Sequence, residues 1–226
     1  MHNTGSSVMI RSSISVLLRW NYSFERESSM EYSASTVKYR FWFVETRETA
    51  RLLAEHTPEE AQRIAYEMNL YQQKDKARIA NEYGCIMRRL QAIPKNLSEL
   101  LLSTDVSTAK LIVLIAAMAS DKLLFEMMQE VYRVKIRLGD DEWKGSDLNI
   151  FFGNKADQSK LIAGWTEGTV NKLKQVYTRF LVEAGLLRKV NTKMSRITKP
   201  YIDPELKGIL IKEGMAAYLY SLTGEN

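Results

Sequence analysis

The sequence predicts a mainly α protein, a helical bundle followed by a winged helix-turn-helix module with a short β-hairpin. Three observations carry that prediction. Prolines and glycines are few, four and eleven in 226 residues, which favours helices over turn-rich β architectures. Apolar residues recur at three- and four-residue spacing through most of the chain from Glu45 onward. Towards the carboxy terminus the order becomes helix, helix, long helix and then two loosely alternating stretches around a polar turn, the order of a winged helix.

Residues 1–29 are serine-rich and lack a sustained period, so they read as a loose N-terminal extension before the regular sequence that opens at Met30. Tyr39, Phe41, Trp42 and Phe43 form a dense aromatic group. Core packing or a β-edge is the ordinary reading, and a stacking platform for single-stranded nucleic acid is the functional alternative. A helix follows over Glu45–Glu55. Thr57, Pro58 and Glu60 then give a capped start to a second, running to about Asn69. A third spans about Lys74–Ala92, with Ala77, Ala80, Tyr83, Gly84, Met87 and Leu90 as its apolar stripe and Pro94 beyond its end. A short helix covers about Leu97–Ser103. Ser107 caps the uniformly apolar Leu111–Ala119, a buried helix, and Asp121 caps an amphipathic one that Gly139 stops after Leu138.

These segments make a bundle over residues 30–139, and Gly139–Gly145, with three acids and two glycines, reads as the junction to a C-terminal domain over 146–226. That domain opens with helices over about Ser146–Asn154 and Asp157–Ala163. Thr166 caps the long helix, whose stripe is Val170, Leu173, Val176, Tyr177, Phe180, Leu181 and Ala184, and Trp165 can staple onto Val170. After the stop at Gly185, Leu186–Val190 and Arg196–Pro200 flank the turn Asn191–Ser195 as a hairpin, and Asp203-Pro204 starts a last helical region to Leu222. The winged-helix module proper spans about 146–210.

Charge points to the partner. Residues 158–200 hold nine lysines and arginines against Glu167 and Glu183, a net +7, whereas the whole chain is +5, so the remainder carries −2. Such polarisation is the footprint of a surface that meets phosphates. In a winged helix the second helix of the turn motif enters the major groove, so the expected double-stranded DNA contacts are Asn171, Lys172, Gln175 and Arg179 on the helix face. Arg188, Lys189, Lys193, Arg196 and Lys199 on the wing would track the DNA backbone or the minor groove. A second basic group, Lys74, Lys76, Arg78, Arg88 and Arg89, is offset by Asp75 and Glu82, and Arg78 and Glu82 are spaced to pair.

Catalytic readings find little support. His2, His56 and Cys85 give no zinc spacing and no nucleophile–base dyad, and neither a phosphate-binding GxxxxGK[ST] loop nor GxGxxG occurs, so no metal or cofactor is expected. Asp140, Asp141, Glu142 and Lys144, or Asp203, Glu205 and Lys207, resemble the acidic triplets of metal-dependent nucleases but fall in a junction and at a helix start. The longest apolar run, Leu111–Ala119, is too short for a bilayer, which needs about 20 residues. A single cysteine fits a reducing compartment, so the cytoplasm is the default, with peripheral contact to anionic lipid as the alternative.

The runs Phe43-Val44-Glu45-Thr46-Arg47, Ala50-Arg51-Leu52-Leu53 and Asn69-Leu70-Tyr71-Gln72 are followed by Gly164-Trp165-Thr166-Glu167-Gly168-Thr169 and Glu183-Ala184-Gly185-Leu186-Leu187. In this order they resemble the BrxA family of bacteriophage-exclusion (BREX) defence systems, over about Val37 to Leu210. The resemblance implies a bundle similar to that of the antitermination protein NusB joined to a winged-helix part. It also implies double-stranded DNA binding and work alongside other BREX proteins in restricting phage. A protein-docking adaptor and an RNA-binding NusB-like protein are the alternatives. The family's older label of putative inner-membrane protein conflicts with the span length here. Base preference, oligomeric state and the partner held are not encoded in any motif.

Overall fold

The computed structural model of the chain describes residues 30–192 and 194–225, so the N-terminal extension and Lys193 lie outside the described residues. Side-chain caps set most of the helix starts. Thr57 and Glu60 form the expected reciprocal capping box at the start of α2 (Pro58–Glu67), which follows α1 (Phe43–Glu55). Asp75 opens α3 (Lys76–Gln91), and α4 (Lys95–Ser103) follows Pro94. The next helix, α5 (Val106–Ala119), is capped not by Ser107 but by Asp105, whose Oδ1 accepts from the Ser107 and Thr108 amides at 2.8 and 3.2 Å. A carboxylate at the cap satisfies two otherwise orphaned N–H groups and sits at the positive end of the helix dipole. The buried part of α5 is as its sequence predicts: Leu111 through Ala119 are all inside.

Asp121 caps α6 (Lys122–Met127), which continues through a π-helical turn, Met128–Tyr132, into α7 (Arg133–Leu138). Gly139 ends it with φ 70°, a left-handed conformation that glycine adopts at little cost. The stretch read as a junction then holds a strand, β1 (Glu142–Lys144), directly before α8 (Gly145–Gln158). Short α9 (Lys160–Ala163) leads to the long α10 (Glu167–Glu183), and β2 (Leu187–Lys189) and β3 (Met194–Ile197) form the hairpin. All three strands are antiparallel in the order β1-β3-β2, so β1 completes the sheet. The last helical region is two helices, α11 (Pro204–Lys212) and α12 (Ala216–Thr223), separated at Gly214, which also has positive φ.

One hydrophobic core runs through the described residues from Phe41 to Leu222. Phe41 meets Phe180 edge-on at 5.7 Å between ring centres, joining the aromatic group before α1 to α10. Phe41 is fully buried and Tyr39, Trp42 and Phe43 half-buried, which favours the packing reading of that group over a free stacking platform. On α3 the observed stripe is Ile79, Tyr83, Cys85, Ile86 and Leu90, with Glu82 and Arg89 buried beside them. Ala77, Ala80 and Gly84 of the expected stripe are exposed. Two polar niches shift the face. Arg89 Nη1 donates to the carbonyls of Arg40 and Phe41 at 3.1 and 3.0 Å, and Glu82 accepts from Gln73 at 2.9 Å rather than pairing with Arg78.

Candidate nucleic-acid interface

The interface is built on α10. Thr166 Oγ1 accepts from the Thr169 amide at 3.2 Å and fixes the first turn. Leu173, Val176, Tyr177, Phe180 and Leu181 anchor the helix in the core, with Trp165 and Val170 half-buried at its start as a staple requires. Asn171, Lys172, Gln175 and Arg179 are therefore exposed on the other side.

The sheet sorts the hairpin cations by strand alternation. Arg188 lies opposite Arg196, which lies opposite Glu142, so these three share one face. Lys189, Ser195 and Trp143 share the other, which packs towards the body: Trp143 and Ser195 are buried, and the Trp143 indole N–H points to Thr178 Oγ1 at 3.4 Å. Two arginines directly opposite repel, and Asp141 relieves the pair with an ion contact to Arg196 Nε at 3.2 Å.

Between this inner face, α10 and the start of α8 runs a groove of about 1310 Å³. Lys144, Ser146 and Asn149 line it from one side, Lys174, Gln175, Thr178 and Arg179 from α10, and Lys189, Val190, Asn191 and Thr192 from the hairpin. Four of its lining residues are cationic and none is acidic. Lys144 also pairs with Glu142, which raises its pKa, while Lys174, Arg179 and Lys189 have no ion pair among the described residues. Low-dielectric walls below three cations that lack ion pairs among the described residues favour an anion in the groove.

Of the nine residues expected at the interface, Gln175, Arg179 and Lys189 come together in the groove. Asn171 and Lys172 are exposed on α10 but do not line it, and Asn171 Nδ2 donates to Glu167 at 3.4 Å. Arg188 and Arg196 occupy the outer face of the sheet, Lys199 is exposed beyond β3, and Lys193 lies outside the described residues. Sequence reasoning missed Lys144, Asn149 and Lys174. Lys174 flanks the apolar stripe, and only the spatial approach of α8 shows that it faces the groove.

The acidic groups have structural occupations. Lys135 Nζ bridges Asp140 at 2.7 Å and Asp147 at 3.1 Å; burial alone would lower its pKa, but the two carboxylates outweigh that and raise it. Asp203 caps α11 through the Glu205 and Leu206 amides. Among the described residues no group of three His, Cys, Asp or Glu side chains could hold a metal ion, and no helix is long and apolar enough to cross a membrane.

Comparison with known proteins places the chain. The BrxA family model matches residues 30–214. The BREX protein BrxA of Bacillus cereus (strain H3081.97) is 34% identical over 194 residues, which cover 84% of this chain and 96% of that protein. A crystal structure of an uncharacterized protein from Magnetospirillum magneticum has the same fold, with a TM-score of 0.74 at 22% identity, covering 87% of this chain and all of that one.

Proposed function

Because the chain belongs to the BrxA family of BREX defence proteins, we propose that it is a non-enzymatic double-stranded DNA-binding component of such a system. The single observation that carries this reading is the groove beside α10, lined by four cations and no acid. Its surroundings support a winged helix-turn-helix: α7, β1, α8, short α9, α10, β2 and β3 in sequence, with sheet order β1-β3-β2. Residues 30–139 would then be the NusB-like bundle. Gln175 on the exposed face of α10 offers an amide for base edges, and Lys144, Lys174, Arg179 and Lys189 serve phosphates. The protein works in the cytoplasm beside other BREX proteins, and neither metal nor cofactor enters.

A labelled duplex, its single strands and an RNA duplex of the same sequence, titrated at two salt concentrations, test the proposal. The duplex DNA should bind tightest and weaken steeply with salt. Preference for RNA, or affinity indifferent to salt, contradicts it. One observation favours a second reading, an adaptor that docks a protein partner through the bundle. Ala50, Leu53, Ala54, Met87, Leu90, Ile93 and Leu102 line a largely apolar groove of about 360 Å³ between α1, α3 and α4. The same titration separates the two, since an adaptor binds duplex DNA weakly or not at all.

A further inference from the structure

The basic side chains of the groove and of the elements next to it differ in what holds them. Lys155 is held by Glu126 and Glu130, Lys135 by Asp140 and Asp147, Lys144 by Glu142 and Arg196 by Asp141, each a carboxylate that cancels charge. Lys174 is held by neutral groups. Its Nζ donates to Asn149 Oδ1 of α8 at 2.8 Å and to Asn171 Oδ1, one turn back on α10, at 3.4 Å. The same ammonium lies 5.8 Å from the ring centre of buried Phe152. Its charge is thus fixed in position by two helices and left uncancelled.

That arrangement has a thermodynamic meaning. A free lysine loses about 1.5–2 kcal/mol of rotamer freedom when it grips a ligand. Hydrogen bonds to two amides and a ring contact take much of that freedom away beforehand, without the carboxylate that would compete with an anion. Asn149 gains a role too. With Oδ1 committed to Lys174, its Nδ2 group is a second donor at the same wall, and Ser146, three residues earlier on α8, lines the groove beside it.

We propose that Lys174, positioned by Asn149, is the preorganised anchor for one backbone phosphate of the bound nucleic acid, an inference that rests on the groove being the DNA-binding surface. Lys174 touches the phosphate; Asn149 is a positioning residue that also offers its amide N–H. The anchor lies where α8 meets α10, so a phosphate held there sets the depth and register of α10 against the duplex, while Arg179 and Lys189 neutralise phosphates farther along.

Fluorescence anisotropy with a labelled random-sequence duplex, on the full chain and across a salt series, tests this. Lys174→Gln keeps the side-chain stem against Phe152 and removes the charge. It should lower affinity about eightfold near 0.1 M salt and reduce the salt slope by about one, the effect of one lost phosphate contact. Asn149→Ala, which leaves net charge unchanged, should weaken binding about threefold, and the double variant should lose less than the two single effects combined, the signature of coupled residues. Asn149→Asp should weaken binding further than Asn149→Ala, because a carboxylate cancels the anchor. Thermal melting checks that each variant is folded; Lys174→Met, which also removes the charge, replaces Lys174→Gln if that variant is not, and Lys174→Arg, which keeps the charge, should retain most of the affinity. If Lys174→Gln binds with the parent's affinity and slope while Arg179→Glu/Lys189→Glu weakens binding and lowers the slope, the anchor is wrong and the groove reading stands. If the effects of Asn149→Ala and Lys174→Gln simply add, Asn149 does not position Lys174. If the parent binds no duplex at all, both readings fall.

Discussion

Tyr177 donates its hydroxyl to Asp121, 3.1 Å from Oδ2, and so ties the middle of the exposed helix α10 to the cap of α6 deep in the bundle. Asp121 also accepts from Thr36 Oγ1 at 2.6 Å and from the Leu124 amide at 3.1 Å. Burial pushes the Asp121 carboxyl above the usual range, while these three hydrogen bonds and nearby Arg89 pull the other way. Burial likewise raises the Tyr177 phenol, and the adjacent carboxylate adds to that. The pair makes the orientation of α10 a property of the whole core. Tyr177→Phe removes one hydrogen bond to a buried acceptor and should cost about 2 kcal/mol, seen in urea unfolding as a lower midpoint at unchanged m-value.

Lys155 also ties α8 to α6 and the π-helical turn that follows it. Its ammonium, on α8, meets Glu126 at 2.7 Å and Glu130 at 2.5 Å, and its side chain is only 4% exposed. Lys155→Met leaves two carboxylates facing each other at a protein-lined surface and should destabilise by about 3 kcal/mol. Adding Glu126→Gln and Glu130→Gln should restore most of that loss, because the cost lies in the unpaired charges rather than in the missing contact. Chemical denaturation of the single and triple variants measures both.

Stability should depend on pH through Glu82. Burial, with help from Glu45 and opposed by Arg40 and the Gln73 hydrogen bond, pushes its carboxyl up to about 7 from 4.5. Between those values the folded chain keeps a proton that the unfolded chain has released. Its contribution is therefore fully present below about pH 4.5 and is lost as pH rises towards 7. Glu82→Gln, neutral at every pH, should flatten that part of the melting-temperature profile. An unchanged profile in the variant counts against the assignment.

The two faces of the sheet predict unequal effects of removing wing arginines and groove cations. Arg196 sits on the outer face with Asp141, exposed on both sides of the pair. Arg196→Ala should cost less than about 1 kcal/mol of stability, as exposed ion pairs do. It should also weaken duplex DNA binding by less than Arg179→Ala. Anisotropy at one salt concentration ranks the two, and equal or reversed losses would move the contact surface to the outer face.

Much of the fold was legible because the signals were local. Thr57 with Glu60, Thr166 before the long helix, Asp121, and the glycines at 139 and 185 marked element ends through hydrogen-bonding groups or backbone freedom that belong to one turn. The failures were tertiary. Asp140–Glu142 looked like a linker because β1 is only three residues long and exists by pairing with β3, some fifty residues later. The true face of α3 was hidden because Glu82 and Arg89 are buried by partners outside the helix. For the candidate site, the sequence named three of the residues that line the groove, Gln175, Arg179 and Lys189. It could not sort Arg188 from Lys189, adjacent in sequence and on opposite faces, before the strand register was known. Lys174 was passed over because its value lies in Asn149, twenty-five residues away.

The central claim is that duplex DNA is held electrostatically in the acid-free groove beside α10. Its most direct test is the slope of log affinity against log salt for the parent chain and for Arg179→Glu/Lys189→Glu. A groove that engages three to five phosphates predicts a straight line with a slope of about −2.7 to −4.5, reduced by about two in the charge-reversed variant. A slope near zero in the parent, or the same slope and affinity in both proteins, would contradict it.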